Sequence, residues 1–308
     1  MVINQEQRQI KKKKGKFFKK NGEGLFLSCF PLLGYLFFGI IPLVMALIMS
    51  FFEVRGYSMK GMKWVGLNNF ITVLEDPLFW RSLRNTFIMA ASMPVSLILA
   101  LLMAFLINKG LKGAKVFRAI YFIPFVCSVV AVTYMWQWIF NTNYGVLNQL
   151  LGKTGEDAIN WLGEEKSFLW AVIIMNIWNG TGYGIVLFSA SLTNVSRTLL
   201  EQAEIDGANA LQKFRHITLP TISPTTFFLF TTGLIGALQA FAVTNILGNN
   251  STGPNDAGLT SVFYIYRNTF SYVNQVGKAA AASWLLSIVI AVVTGINFFG
   301  SRLWVSYD

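Results

Sequence analysis

"EQAEIDGANALQKFRHITLP" (residues 201–220) is a polar, charged stretch set between two long apolar runs. Its spacing predicts a short amphipathic helix, a break at Gly207 and a second short helix stopped by Pro220. Ala203, Ile205 and Ala208 give the first helix a partly apolar face. Glu201, Glu204 and Asp206 make it locally acidic. Phe214, Ile217 and Leu219 supply apolar contacts for the second helix, and Pro220 and Pro224 re-set the chain on its return to the next apolar run.

The flanking sequence sets the class. Of 308 residues 54% are hydrophobic and only 13% charged, too apolar for a soluble globule. Six stretches (26–50, 86–107, 119–140, 168–190, 226–247 and 279–299) contain no Asp, Glu, Lys or Arg. A hydrocarbon core of about 30 Å needs about 20 helical residues, so each stretch is long enough to span it. The expectation is an all-α polytopic membrane protein with six transmembrane helices. The first apolar run is too long for a secretory h-region, and no clear small-x-small cleavage site follows it, so it should remain in the mature chain.

Charge sets the orientation. With the N-terminus inside, 16 of the 25 Lys and Arg fall on the inner side, against 6 of the 14 acidic residues. By the positive-inside rule both termini should be cytoplasmic. The run "KKKKGKFFKK" (11–20) then reads as a topology anchor on lipid headgroups rather than a nucleic-acid patch. Residues 1–24 form a basic cytoplasmic tail, and 25–308 a membrane domain whose cytoplasmic loop is 194–223.

Chemistry is sparse. Cys29 and Cys127 fall inside predicted spans and read as small packing residues. The single histidine, His216, has no cysteine near it, so no metal spacing exists and no cofactor is expected. Gly152–Thr154 matches the end of a phosphate-binding loop, but Leu147 stands where its first glycine should be. No paired carboxylates or nucleophile elbow appear, so no catalytic residues are assigned and the chain is not expected to be an enzyme. Spans without charge also lack the ionisable coupling groups usual in ion-driven transporters. Gln137, Asn176, Asn179, Gln239, Asn245 and Asn297 are neutral, suited to a hydroxyl-rich solute or to hydrogen bonds between helices. Any transport must therefore draw its energy from outside the chain, and the polar 201–220 module is where a cytosolic partner can dock.

At these residues the sequence resembles a known family. Glu201-x-Ala203, three residues, Gly207, nine residues, then Ile217-x-Leu219-Pro220 is similar to the EAA loop of the permease subunits of bacterial ABC importers. Gln202 stands where that family usually has alanine. "GLNNFITVLEDPLFWRSLRNTF" (66–87), "RAIYFIPFVCSVVAVTYMWQWIF" (118–140) and "TGPNDAGLTSVFYIYRNTF" (252–270) resemble the carbohydrate-type branch, with the maltose and glycerol-phosphate permeases. The last of these departs from the more usual double-glycine version, and the first 24 residues lie outside the match.

The resemblance implies a type I ABC importer permease fold in a bacterial inner or plasma membrane. It implies as partners a second, homologous permease, two cytosolic ATPase subunits and an extracellular solute-binding protein. Glu201, Ala203, Asp206, Gly207, Ile217, Leu219 and Pro220 would form the coupling element, Glu201 pairing with a basic residue of the ATPase and Gly207 permitting a tight fit. Asn176, Gly180 and Tyr183, spaced to share one helix face, and Gln239, one turn beyond Gly236, would line the path of a mono- or oligosaccharide. A sugar-phosphate or glycerol-phosphate importer is the alternative within the family, but it would want cations near the path. A scaffold or receptor signalling through the loop is the alternative outside it.

Overall fold

Inside lipid a backbone must satisfy its own hydrogen bonds, so charge-free runs fold as helices. The computed structural model describes residues 24, 26–54, 61–108, 113–271 and 275–306; the basic run 11–20 and most of the 1–24 tail lie outside them. Among the described residues five helices are long and apolar enough to cross a membrane: Phe26–Ser50, Pro77–Asn108, Glu165–Leu192, Ala210–Leu238 and Val276–Ser301. A bent pair supplies a sixth if counted as one span.

In chain order the elements are α1 (Phe26–Ser50), a small antiparallel hairpin of β1 (Phe52–Glu53) and β2 (Lys63–Trp64) with Phe52 opposite Trp64, α2 (Asn68–Glu75), α3 (Pro77–Ala90) and α4 (Ser92–Asn108). There follow α5 (Ala114–Val126), α6 (Val129–Ile139), α7 (Val146–Leu150), α8 (Glu165–Leu192) and α9 (Arg197–Ile205). The chain then runs through α10 (Ala210–Leu238), α11 (Ala242–Leu247), α12 (Ser261–Tyr266) and α13 (Val276–Ser301).

Three expectations are corrected. The run 119–140 is not one straight span, because the chain turns by 104° between α5 and α6. Pro124 lies inside α5, and the backbone is extended at Cys127. The run 226–247 is also interrupted: α10 ends at Leu238, and Asn245 belongs to the separate α11. Nor does Pro220 stop a helix. A π-turn at Phe214–Thr218 precedes it, and the wider turn accommodates a ring that lacks an N–H donor and would otherwise crowd the carbonyl four residues back. The π-turn Leu36–Ile40 stands in the same relation to Pro42 in α1.

The centre is an α4–α8 pair built on small residues. A Cβ on Gly180 would meet Ser96 Oγ at 2.8 Å, and one on Gly184 would meet the Ala100 side chain at 2.6 Å. Ala100, Ala104, Ile185 and Phe188 are buried between the two helices. Close backbone approach of this kind replaces the hydrophobic drive that lipid does not supply. By contrast α1 stands at the edge with most of its apolar side chains exposed. Cys29 and Cys127 are exposed rather than packed.

At the end where α3, α12 and α13 meet, Asp76 is the hub. Its Oδ1 caps α3 by accepting from the Leu78 N–H (2.9 Å), and its Oδ2 accepts from the Tyr264 hydroxyl and from Lys278 Nζ, both at 2.7 Å. Burial alone would raise the Asp76 carboxyl. Hydrogen bonds from Lys278, Tyr264 and Leu78, with the Lys278 charge, outweigh it and hold the group below the usual carboxylate range. Burial and the Asp76 charge push the Tyr264 hydroxyl upward. The depressed carboxyl contributes stability above its unfolded value near pH 4, lost as pH falls through the folded value. The raised phenol contributes stability that is lost as pH climbs above about 10. Asp76→Asn leaves the half-buried Lys278 without its counter-charge, and should cost about 1–3 kcal/mol. Thermal unfolding in detergent should show that loss at neutral pH, and a difference from the native chain that starts to shrink only as pH falls below about 4.

Candidate functional site

The site has two parts joined by one helix. The first is the 194–223 loop. Ser196 caps α9 by accepting from the Leu199 N–H. The helix ends in a Schellman motif: Gly207 N–H donates to Glu204 O, Ala208 N–H donates to Ala203 O at 2.8 Å, and Gly207 takes φ +82°. That backbone requires glycine, although no atom lies within 4 Å of where its Cβ would be. Asn209 and Gln212 form a reciprocal capping box at the start of α10. Lys213 ties the two helices together by pairing with Glu204 at 2.9 Å. Phe214 packs edge-on against Phe105 of α4.

The sequence-selected loop residues divide accordingly. Glu201, Asp206 and Gly207 are exposed, Ala203, Ile217 and Pro220 are half-buried, and Leu219 is partly exposed. Among the described residues Glu201 has no salt-bridge partner within the chain. Ile205 is 86% exposed and Leu211 73%, an apolar pair that periodicity flagged only in part.

The second part is a cavity of about 620 Å3 between α4, the α5–α6 bend, α8 and the end of α10. Asn176, Gly180, Tyr183 and Gln239 all line it, as does Gly236. The i, i+4, i+7 face of α8 therefore does point into one space. Gly180 has a packing duty as well, since Ser96 fills the room its side chain would take. Gln239 lies just past the end of α10, exposed at the break before α11.

Sequence reasoning did not assign Asn179, Ser92, Ser96, Phe125 or Thr232 to this wall, and all five line it. Asn179 was visible as a polar residue, and its Oδ1 is buried with no hydrogen-bond partner. Phe125 had no signal of its own; it reaches the cavity because the chain bends two residues later. There its ring stacks on Tyr183, centroids 4.4 Å apart and planes 17° from parallel. Among the described residues no charged side chain lines the cavity. Amides, hydroxyls and stacked rings can bind a neutral polar solute, but offer an anion no counter-charge.

α10 joins the two parts. It begins at Ala210 in the loop and carries Leu229, Thr232, Gly233 and Gly236 to the cavity wall.

Comparisons with known proteins bear on the family and the fold. Residues 96–304 match the family described as "Binding-protein-dependent transport system inner membrane component". The chain is 35% identical over 287 residues to the probable ABC transporter permease protein YesP of Bacillus subtilis, covering 92% of this chain and 91% of that protein. It is 34% identical to the arabinooligosaccharides transport system permease protein AraP of the same organism, covering 91% and 88%. To the diacetylchitobiose uptake system permease protein NgcF of Streptomyces coelicolor it is 32% identical, covering 89% and 80%. Among solved structures, the fold is similar to that of a chain of a bacterial ABC transporter involved in import of the acidic polysaccharide alginate, with TM-score 0.77, 23% identity and coverage of 93% of this chain and 97% of that one. The match over two thirds of the chain and the near full-length relatives have one meaning: the chain belongs to the inner-membrane components of binding-protein-dependent transport systems, the permease subunits of ABC transporters, and is not an enzyme.

Proposed function

We propose that this chain is a permease subunit of an ATP-driven importer of neutral mono- or oligosaccharides, with the α4–α8–α10 cavity on the solute path. The observation that carries the reading is the cavity lining. It combines amides from Asn176, Asn179 and Gln239, hydroxyls from Ser92, Ser96 and Thr232 and the Phe125–Tyr183 stack, with no cation or anion among them. The similarity to AraP and NgcF, permease proteins of an arabinooligosaccharides transport system and a diacetylchitobiose uptake system, supports a sugar. An importer of sugar phosphates would leave a buried phosphate without a partner here.

The 194–223 loop docks into a cleft of a cytosolic ATPase, with Glu201 and the exposed Ile205 and Leu211 as contacts. Both termini lie on that side of the membrane. The assembly holds a second, homologous permease, two ATPase subunits and an external binding protein that delivers the sugar.

Asn176→Ala and Gln239→Ala test the cavity. A neutral hydrogen bond contributes about 0.5–1.5 kcal/mol, so each variant should raise the KM for uptake roughly two- to tenfold. Assembly and ATP hydrolysis should be retained. The assay is uptake of labelled arabino-oligosaccharides and diacetylchitobiose by cells expressing the whole transporter. Unchanged uptake by both variants would move the solute path elsewhere, and loss of assembly would make these amides packing groups.

A further inference from the structure

A second cavity, of about 560 Å3, lies beside the start of α8, whose other end leads into the 194–223 loop. It is bounded by the end of α6, the turn before α8 and the segment after α11. Its lining includes Trp138, Asn141 and Tyr144, together with Gln137, Asn249 and Ser251, and among the described residues no charged side chain. Trp138 and Tyr144 are 75% and 61% exposed.

Trp138 stands on the last turn of α6, and Tyr144 is held by a built turn just after it. Asn141 Oδ1 accepts from the Asn143 N–H at 2.9 Å and from the Tyr144 N–H at 3.2 Å, and the Gly145 N–H returns to Asn141 O at 2.9 Å. A side chain at Gly145 would lie 2.2 Å from that same carbonyl, so the turn fits only with glycine there. On the facing wall Asn249 sits at φ +56°, a left-handed position that asparagine tolerates.

α11 separates the two cavities. Ala242 and Val243 line the inner one and Leu247 the outer one. Four residues of helix advance only about 6 Å. The Gln137 amide on α6 donates to Ile246 O, anchoring this partition. A solute longer than the inner cavity would therefore reach the outer one by passing this single short helix.

We infer that the outer cavity is an accessory carbohydrate subsite, in which Trp138 and Tyr144 stack on the C–H faces of the trailing units of a neutral oligosaccharide while Asn141 and Asn249 meet its hydroxyls. This rests on the sugar-import reading above and adds chain length to it. A lipid headgroup is the competing occupant, since exposed Trp and Tyr also form interfacial belts in membrane proteins. Here, however, the rings wall a concavity shared with amides and a hydroxyl.

The test uses the whole transporter in membranes, with two-unit and four-unit arabino-oligosaccharides as first probes, or the series that the unaltered transporter imports. Trp138→Ala and Tyr144→Ala should each raise the KM for the four-unit sugar about three- to tenfold, while the two-unit KM stays within about twofold. Trp138→Phe should restore most of the four-unit affinity. Equal changes for both lengths, as membrane anchoring would give, no change for either, or a transporter that imports nothing longer than a disaccharide would each overturn the subsite while leaving sugar import standing. An unaltered transporter that imports no sugar would overturn both.

Discussion

Glu201→Lys is expected to detach the cytosolic ATPase and abolish uptake while leaving the membrane domain folded. Glu201 is exposed and has no salt-bridge partner among the described residues of its own chain, so reversal disrupts nothing internal. If it pairs with a basic residue in the ATPase cleft, the new lysine meets a like charge. Loss of one partner of a desolvated charge pair costs about 2–5 kcal/mol, weakening attachment roughly thirty- to several-thousand-fold. Gly207 sharpens the test. Any L-residue there strains the φ +82° backbone by about 1–2 kcal/mol, yet a side chain meets nothing within the chain. Gly207→Ala and Gly207→Leu should therefore destabilise the isolated chain equally, while only the leucine should strongly impair ATPase binding. Pull-down of the ATPase with purified permease reads this directly, and equal binding by the two variants would remove the tight-fit role of Gly207.

Gly182→Ala is expected to cost about 3 kcal/mol or more, above the ordinary range for a single added methyl. Its Cβ would lie 2.0 Å from the Tyr121 carbonyl oxygen. That atom is backbone and cannot swing aside, so α5 and α8 must separate, and with them the bend that delivers Phe125 to the cavity. Gly236→Ala is the control: its Cβ meets nothing within 4 Å, and the change should be neutral or stabilising in a helix. Thermal unfolding in detergent should separate the two variants clearly. Similar midpoints would mean that α5 and α8 are not in contact as described.

The spans and the loop were legible because their signals are local. Absence of charge over 21 or more residues marks a membrane helix, and the glycine at 207 marks a left-handed cap on its own. Asn176, Gly180 and Tyr183 could be grouped because helical spacing alone puts them on one face. Contacts between distant segments were not legible. Pro124 in "FIPFVCS" signals a kink but not a turn of 104°, and nothing in the sequence shows that Gly182 has Tyr121 against it where Gly236 has open space. Pro220 misled for a related reason: proline ends a regular α-helix, but a π-turn relieves the clash, and no residue pattern advertised that turn. The Asp76–Tyr264–Lys278 hub joins residues about two hundred positions apart, beyond the reach of any periodicity.

The central claim is that this chain forms the membrane path of an ATP-powered, binding-protein-dependent sugar importer. The most direct measurement is accumulation of labelled sugar in proteoliposomes holding this chain, its second permease and the ATPase. ATP is enclosed on the loop side, and the sugar-loaded binding protein is added on the other. Uptake should require both ATP and the binding protein, and should fall when Asn176 and Gln239 are changed together to alanine. Sugar entry that proceeds without ATP, or ATP hydrolysis stimulated by the binding protein with no sugar moved, would contradict it.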